Sequence, residues 1–231
     1  MSIAENVARI RRAMDDAAQA VGRDPREIQL CAATKMNDAD AVRQAIAAGV
    51  DCCGENRVQE LVKKQSENAY RGAPVHFIGH LQTNKVRQVV GSVDLIQSVG
   101  SLRLLTAIDA EAKRQGIVQN ILLEVNVARE AAKTGFYPEE VLPLLDQIGN
   151  FSNICMRGLM SIPPIPRNPG DNLYFFQKIS LLSVDIMKKK YDNVMVDCLS
   201  MGMSADFADA IRSGATMIRI GTAIFGPRNY A

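Results

Sequence analysis

The 231 residues include only two histidines, His76 and His80, and the five cysteines form no Cys-x-x-Cys pair. That scarcity argues against a metal centre, which draws several such ligands into one place. Cys31, Cys52, Cys53, Cys155 and Cys198 are odd in number, and most lie inside apolar runs. Buried free thiols in a reducing compartment are the expectation, rather than a disulfide framework or a catalytic thiol. An excess of one charge is missing too: 27 Lys and Arg stand against 25 Asp and Glu, a net +2. A nucleic-acid surface needs a clustered basic face, and none is visible. No run approaches the roughly 18 apolar residues of a membrane span. The opening Met1-Ser2-Ile3-Ala4-Glu5-Asn6 is charged early and has no apolar core, so it does not read as a secretory signal. Asp15 and Asp16 argue against a transit peptide. The expectation is a cytoplasmic protein, a monomer, with neither nucleic acid nor membrane as partner.

What is present is ordinary globular material: 47% hydrophobic and 23% charged residues. At about 150 residues per domain, the length allows one large domain or two small ones. Ile3, Val7, Ile10, Met14, Ala17, Ala18 and Val21 recur at helical spacing behind a Ser2/Glu5 capping-box pattern, and Gly22 follows. This is an extra N-terminal helix.

Beyond it, eight short apolar runs read as strands: 28–34, 50–54, 75–79, 94–98, 121–127, 155–160, 194–200 and 216–220. Seven helical segments separate them: 39–48, 57–68, 83–90, 102–115, 138–148, 173–191 and 205–213. Gly49, Gly91, Gly116, Gly149 and Gly214 follow five of these, where helices stop. Strict alternation implies parallel strands, because a crossover is needed to return the chain to the same edge. Consecutive apolar residues such as Ile121-Leu122-Leu123 fit strands covered on both faces. The expected fold is α/β, a (β/α)8 TIM barrel with an extra N-terminal helix, forming a single domain over 1–231. An open dinucleotide-binding sheet would want a Gly-x-Gly-x-x-Gly turn, but the first strand ends Ala32-Ala33-Thr34-Lys35-Met36. The stretch from Pro163 to Gly170 carries four prolines and reads as an extended surface loop.

Barrel sites lie at the C-terminal ends of the strands. Lys35 ends the first run. There its amine is either a snorkelling surface charge or a partly desolvated nucleophile suited to capturing an aldehyde. The seventh strand runs into Ser200-Met201-Gly202-Met203-Ser204, with Ser204 placed to cap the next helix. Gly221 and Thr222 follow the eighth strand. These glycines and hydroxyls either make plain turns or form the phosphate nest that barrels commonly build after strands 7 and 8. Arg219 sits in an apolar strand, so it needs a partner. The choice is an ion pair with Asp197 or Glu124, or donation to a ring nitrogen or phosphate. An amine, an anion nest and a buried arginine at one mouth together suit an aldehyde-bearing aromatic phosphate, pyridoxal 5′-phosphate (PLP).

Asn56 follows the second strand and either lines the mouth or caps a helix. His76 and His80 stand four apart, which would put them on one face of a continuous strand, with His80 near the cofactor. Glu55 and Glu60 read as helix-start or solvent charges. Lys188-Lys189-Lys190 reads as a solvated helix end.

Several segments carry a resemblance over nearly the whole chain. They are Ala33-Thr34-Lys35, Gly54-Glu55-Asn56, His76-Phe77-Ile78-Gly79-His80, Lys133-Thr134-Gly135, Ser200-Met201-Gly202-Met203-Ser204 and Arg219-Ile220-Gly221-Thr222. The sequence resembles the PLP homeostasis protein family, also called the proline synthase co-transcribed family, itself similar to the barrel domain of alanine racemase. The resemblance implies PLP on Lys35 as a Schiff base, with Asn56, His80, Met203, Ser204, Arg219, Gly221 and Thr222 around it. It further implies a role in vitamin B6 and amino-acid balance, with apo PLP-dependent enzymes as partners. Asn126-Val127-Ala128-Arg129-Glu130 departs from the family's usual Asn-Ile-Ser-x-Glu by lacking a serine hydroxyl.

The residues also bear on catalysis. PLP enzymes that use the ring as a strong electron sink place a carboxylate on its nitrogen, whereas Arg219 would leave that nitrogen unprotonated. Alanine racemase adds a tyrosine base from outside its barrel. None of Tyr70, Tyr137, Tyr174, Tyr191 and Tyr230 follows a strand at the mouth, and the length leaves no room for a second domain. A PLP carrier or regulator is expected, with no catalytic residue. The alternatives are a PLP-dependent amino-acid racemase or lyase with Lys35 as sole base, and a phosphate-binding barrel enzyme without PLP that uses Lys35 for a substrate Schiff base.

Overall fold

Most of the apolar runs are extended and covered on both sides, while the run at 194–200 leaves Met195 and Asp197 exposed. The strands are β1 (Gln29–Ala33), β2 (Cys52–Glu55), β3 (Val75–Phe77), β4 (Leu95–Val99), β5 (Gln119–Glu124), β6 (Ile154–Met160), β7 (Val194–Ser200) and β8 (Met217–Ile220). In the computed structural model, which describes residues 1–226, they pair in parallel in sequence order. β8 returns to β1, with Cys31 opposite Arg219, and the sheet closes as a (β/α)8 TIM barrel. Closure leaves no unpaired strand edge.

The helices are α1 (Ile3–Gln19), α2 (Ala39–Ala47), α3 (Val58–Ser66), α4 (Leu102–Gln115), α5 (Pro138–Ile148), α6 (Leu173–Met187), α7 (Phe207–Arg212) and α8 (Thr222–Phe225). Ser2 and Glu5 form the expected capping box on α1. α1 buries Val7, Ile10 and Met14 and packs against α2, α7 and α8. The Asn6 amide donates to the Ile224 carbonyl across it at 2.9 Å. Among the described residues, no helix is long and apolar enough to cross a membrane.

Several local expectations are corrected. The segment between β3 and β4 is a 3₁₀ helix over Thr83–Gln88, its Lys85 N–H bonded to the Gln82 carbonyl at 2.9 Å. Short connectors of this kind commonly take the tighter 3₁₀ form. Gly116 ends α4 in the left-handed region at φ 68°, as a stop glycine does, but Gly149 after α5 is right-handed at φ −54°. Ser204 does not cap α7: Asp206 does, and its carboxylate accepts from the Met203 N–H at 2.7 Å and the Asn172 amide at 2.7 Å. β3 ends at Phe77, so His76 and His80 share no strand face. His76 is buried below, and His80 is exposed at the mouth. Tyr230 lies outside the described residues.

Candidate active site

Strand alternation builds the lumen. Cys31 and Ala33 face inward, and the same parity carries to Lys35, half-buried two residues past Ala33. On the opposite side of the chain, Thr34 faces out between β1 and α3. Its hydroxyl donates to Glu55 Oε1 at 2.5 Å, and its carbonyl accepts from Lys64 Nζ at 2.7 Å. Lys64 is also ion-paired to Glu55 at 2.5 Å, and the Tyr70 hydroxyl donates to the same carboxylate at 3.0 Å. Burial, and then Glu55, push the Tyr70 hydroxyl far above its ordinary value, so it stays a donor. Glu55 is therefore a fully buried hub, and the solvent-charge expectation is corrected. Its parity with Cys53 was the available signal: both point away from the lumen, toward α3 rather than toward water. The hub fixes the backbone immediately before Lys35.

Asn56 has the inward parity of Cys52 and Gly54. Its Oδ1 is buried without a hydrogen-bond partner. The Gly79 of the His-Phe-Ile-Gly-His segment is explained here, because a Cβ on it would lie 2.1 Å from the Asn56 carbonyl oxygen. Only glycine allows the end of β3 to approach this close. The neighbouring His80 lines two adjoining mouth cavities of about 380 and 440 Å³.

At the far side of the mouth, Arg219 is buried and makes no ion pair with Asp197 or Glu124 among the described contacts. Asp197 is paired to Arg157 instead. The Arg219 guanidinium donates to the Ser200 carbonyl at 2.7 Å, to the Ser200 hydroxyl and to the Ser161 carbonyl at 2.9 Å. Burial pulls its pKa below the ordinary arginine value. The loops after β7 and β8 are linked through β8 itself, where the Arg219 N–H donates to the Gly202 carbonyl at 3.0 Å. They bring together half-buried Met203, exposed Ser204, half-buried Gly221 and exposed Thr222. Thr222 opens α8, where first-turn N–H groups lack helical partners. Gly221 is close to β1: a Cβ on it would touch Ala33 at 3.4 Å.

One mouth residue was seen only as a partner for Arg219. Glu124, at the end of β5, accepts from the Thr134 hydroxyl at 3.0 Å. Burial raises its pKa, and the opposing pull of His80, Arg219 and Lys133 is smaller. The chain after β5 folds back on it through Phe136 N–H to the Glu124 carbonyl at 2.9 Å.

The mouth thus joins an amine, an unpartnered amide oxygen, a buried guanidinium bonded to neutral oxygens and a hydroxyl-bearing loop pair. Residues 2–229 match the family described as alanine racemase, N-terminal domain. The pyridoxal phosphate homeostasis protein of Aquifex aeolicus is 39% identical over 230 residues and covers all of both chains. That of Pseudomonas aeruginosa is 40% identical, covering 99% of this chain and 97% of its own. Among solved structures, PipY of Synechococcus elongatus with PLP bound superposes with a TM-score of 0.84 at 32% identity, over 97% of this chain and 100% of that one. An alanine racemase from Clostridium difficile shares the fold at a TM-score of 0.74 and 13% identity, over 94% of this chain and 56% of its own. The chain belongs to the pyridoxal phosphate homeostasis proteins, a family built on the alanine racemase N-terminal barrel.

Proposed function

We propose that this protein holds PLP at the barrel mouth and acts as a carrier or regulator in vitamin B6 and amino-acid homeostasis, without robust catalysis. The observation that carries it is the place of Lys35, half-buried just past the end of β1, with Ala33 of that strand against Gly221 of the loop after β8. The residues fit the group on two further counts. Asn56 Oδ1 is a buried polar atom with no partner in the protein. Arg219 is bonded to serine oxygens alone, so its charge is free to face an anionic or basic ligand atom. Bound here, PLP would supply an aldehyde for an amine to capture and a ring that withdraws electrons.

Lys35 is the residue to carry it, its backbone held by the Glu55 hub. Met203, Ser204, Gly221 and Thr222 would surround the phosphate, with His80 and Asn56 at the ring edge. Arg219 would stand toward the ring nitrogen and keep it unprotonated, which weakens carbanion stabilisation. Apo PLP-dependent enzymes are the proposed recipients.

The test is the visible spectrum of purified protein before and after borohydride, followed by peptide mapping. A visible band lost on reduction is expected, with the label on the Lys35 peptide and no band in Lys35→Ala. No band, or a label elsewhere, would sink the proposal. Glu124 supports the second reading, a racemase or lyase, because it is a carboxyl at the mouth whose pKa burial raises, bonded to the Thr134 hydroxyl. Amino-acid turnover lost in both Lys35→Ala and Glu124→Gln would favour that enzyme over the carrier.

A further inference from the structure

The opposite end of the barrel holds a group of side chains that the mouth does not use. Cys31 of β1, Cys52 of β2 and His76 of β3 each present a ligand atom, and these atoms all lie within 4.8 Å of one another. All three residues are buried. They meet because the register sets Cys31 beside Cys52, while the β2–β3 pairing puts His76 next to Gly54. Gly54 leaves space there, since a Cβ on it would lie 2.9 Å from Cys31 Sγ.

We propose that Cys31, Cys52 and His76 form a buried site for a thiophilic d10 cation, separate from the PLP mouth. Two sulfurs and one imidazole nitrogen are a soft donor set that selects Cu(I) or Zn(II) over hard cations. With metal–sulfur bonds of about 2.3 Å, ligand atoms around such an ion stand about 3.8–4.0 Å apart, within the spread seen here. The Met217 side chain packs against the same two cysteines, and its sulfur accepts from Gln97 Nε2 at 3.1 Å.

The surroundings support the assignment. His76 Nδ1 lies 2.9 Å from Gln97 Nε2, and Gln97 is fully buried, so a neighbour limits how the ring can turn. Each thiol would release its proton to solvent as its sulfur binds the ion. Two thiolates and one imidazole make three donors, one short of the four that Zn(II) takes and enough for Cu(I). That count favours Cu(I) over Zn(II). A cavity of about 390 Å³ opens from solvent onto His76, Cys198 and Met217, so an ion has a way in from the barrel floor.

The test titrates fully reduced protein, anaerobically, with Cu(I) against a chromophoric chelator and with Zn(II) against an indicator, with and without PLP bound. One equivalent is expected to bind, Cu(I) more tightly than Zn(II), with near-ultraviolet thiolate-to-copper absorption, whether or not PLP is present. Cys52→Ser and His76→Gln should each weaken binding at least tenfold while keeping the wild-type circular dichroism, and Cys155→Ser should leave it unchanged. If Cys31→Ser fails to fold, those two variants still decide. Absence of a one-equivalent site for either ion overturns the proposal, as does wild-type affinity in both Cys52→Ser and His76→Gln. Binding lost in Cys155→Ser would overturn it as well.

Discussion

A buried charge is stable only while its partner is present, and Glu55 shows it. Its Oε1 takes bonds from Thr34, Lys64 and Tyr70, whereas Oε2 is buried without one. Lys64→Met removes the cation and leaves a carboxylate in an apolar wall. Breaking such a pair costs about 3–5 kcal/mol. Urea unfolding should show that loss, and adding Glu55→Gln to the same chain should recover part of it. A Lys64→Met protein as stable as wild type would mean that the hub contributes nothing. At this scale the sequence is readable where structure is local: Lys35, Asn56 and Arg219 stand at or just past strand ends, where the apolar runs place them. It was opaque where partners meet across strands. Glu55 looked like a helix-start charge because Lys64 lies nine positions on, and nothing local shows α3 folding that amine back over the strand.

Strands were counted correctly because each apolar run is short and bounded, but their ends shifted wherever a loop rather than hydrophobicity decides. β3 stops at Phe77 because Gly79 must pass against the Asn56 backbone. The 3₁₀ segment at Thr83–Gln88 was read as an α-helix because periodicity does not distinguish one turn from two. β6 carries a second constraint of this kind. Gly158 has φ 138°, and a Cβ there would lie 2.0 Å from the Cys198 carbonyl of β7, where the register shifts. Gly158→Ala should destabilise the protein by on the order of 3 kcal/mol, from a strained backbone and an overpacked strand pair. Gly116→Ala is also left-handed but faces open space, so it should cost about 1 kcal/mol. Equal unfolding midpoints for the two would show that the β6–β7 contact yields freely.

The whole molecule depends on a seam. β8 meets β1 to close the barrel, and α1 lies across that closure against α7 and α8. Arg23 reinforces it by donating to the Ile211 and Ala215 carbonyls at 2.8 and 2.9 Å. Asn6→Ala would leave the Ile224 carbonyl buried and unpaired, which costs about 1–3 kcal/mol. For a chain of this size the thermal midpoint should fall by about 2–4 °C per kcal/mol. An unchanged midpoint would mean that α1 covers the seam without holding it. The closed barrel was legible from eight alternations, since few folds accept eight parallel strands of this length. That α1 would straddle the first and last strands was not, because an amphipathic stripe shows that a face is buried and not against what.

The bond from Asn6 to Ile224 spans 218 residues. A ribosome delivers Asn6 218 residues before Ile224, so α1 waits through that stretch of synthesis without the surface it covers. Long-range closure of this kind slows folding, because the loop entropy is lost before the contact forms. Through that interval Val7, Ile10 and Met14 form an exposed apolar stripe on the nascent chain, which is where a chaperone would engage it.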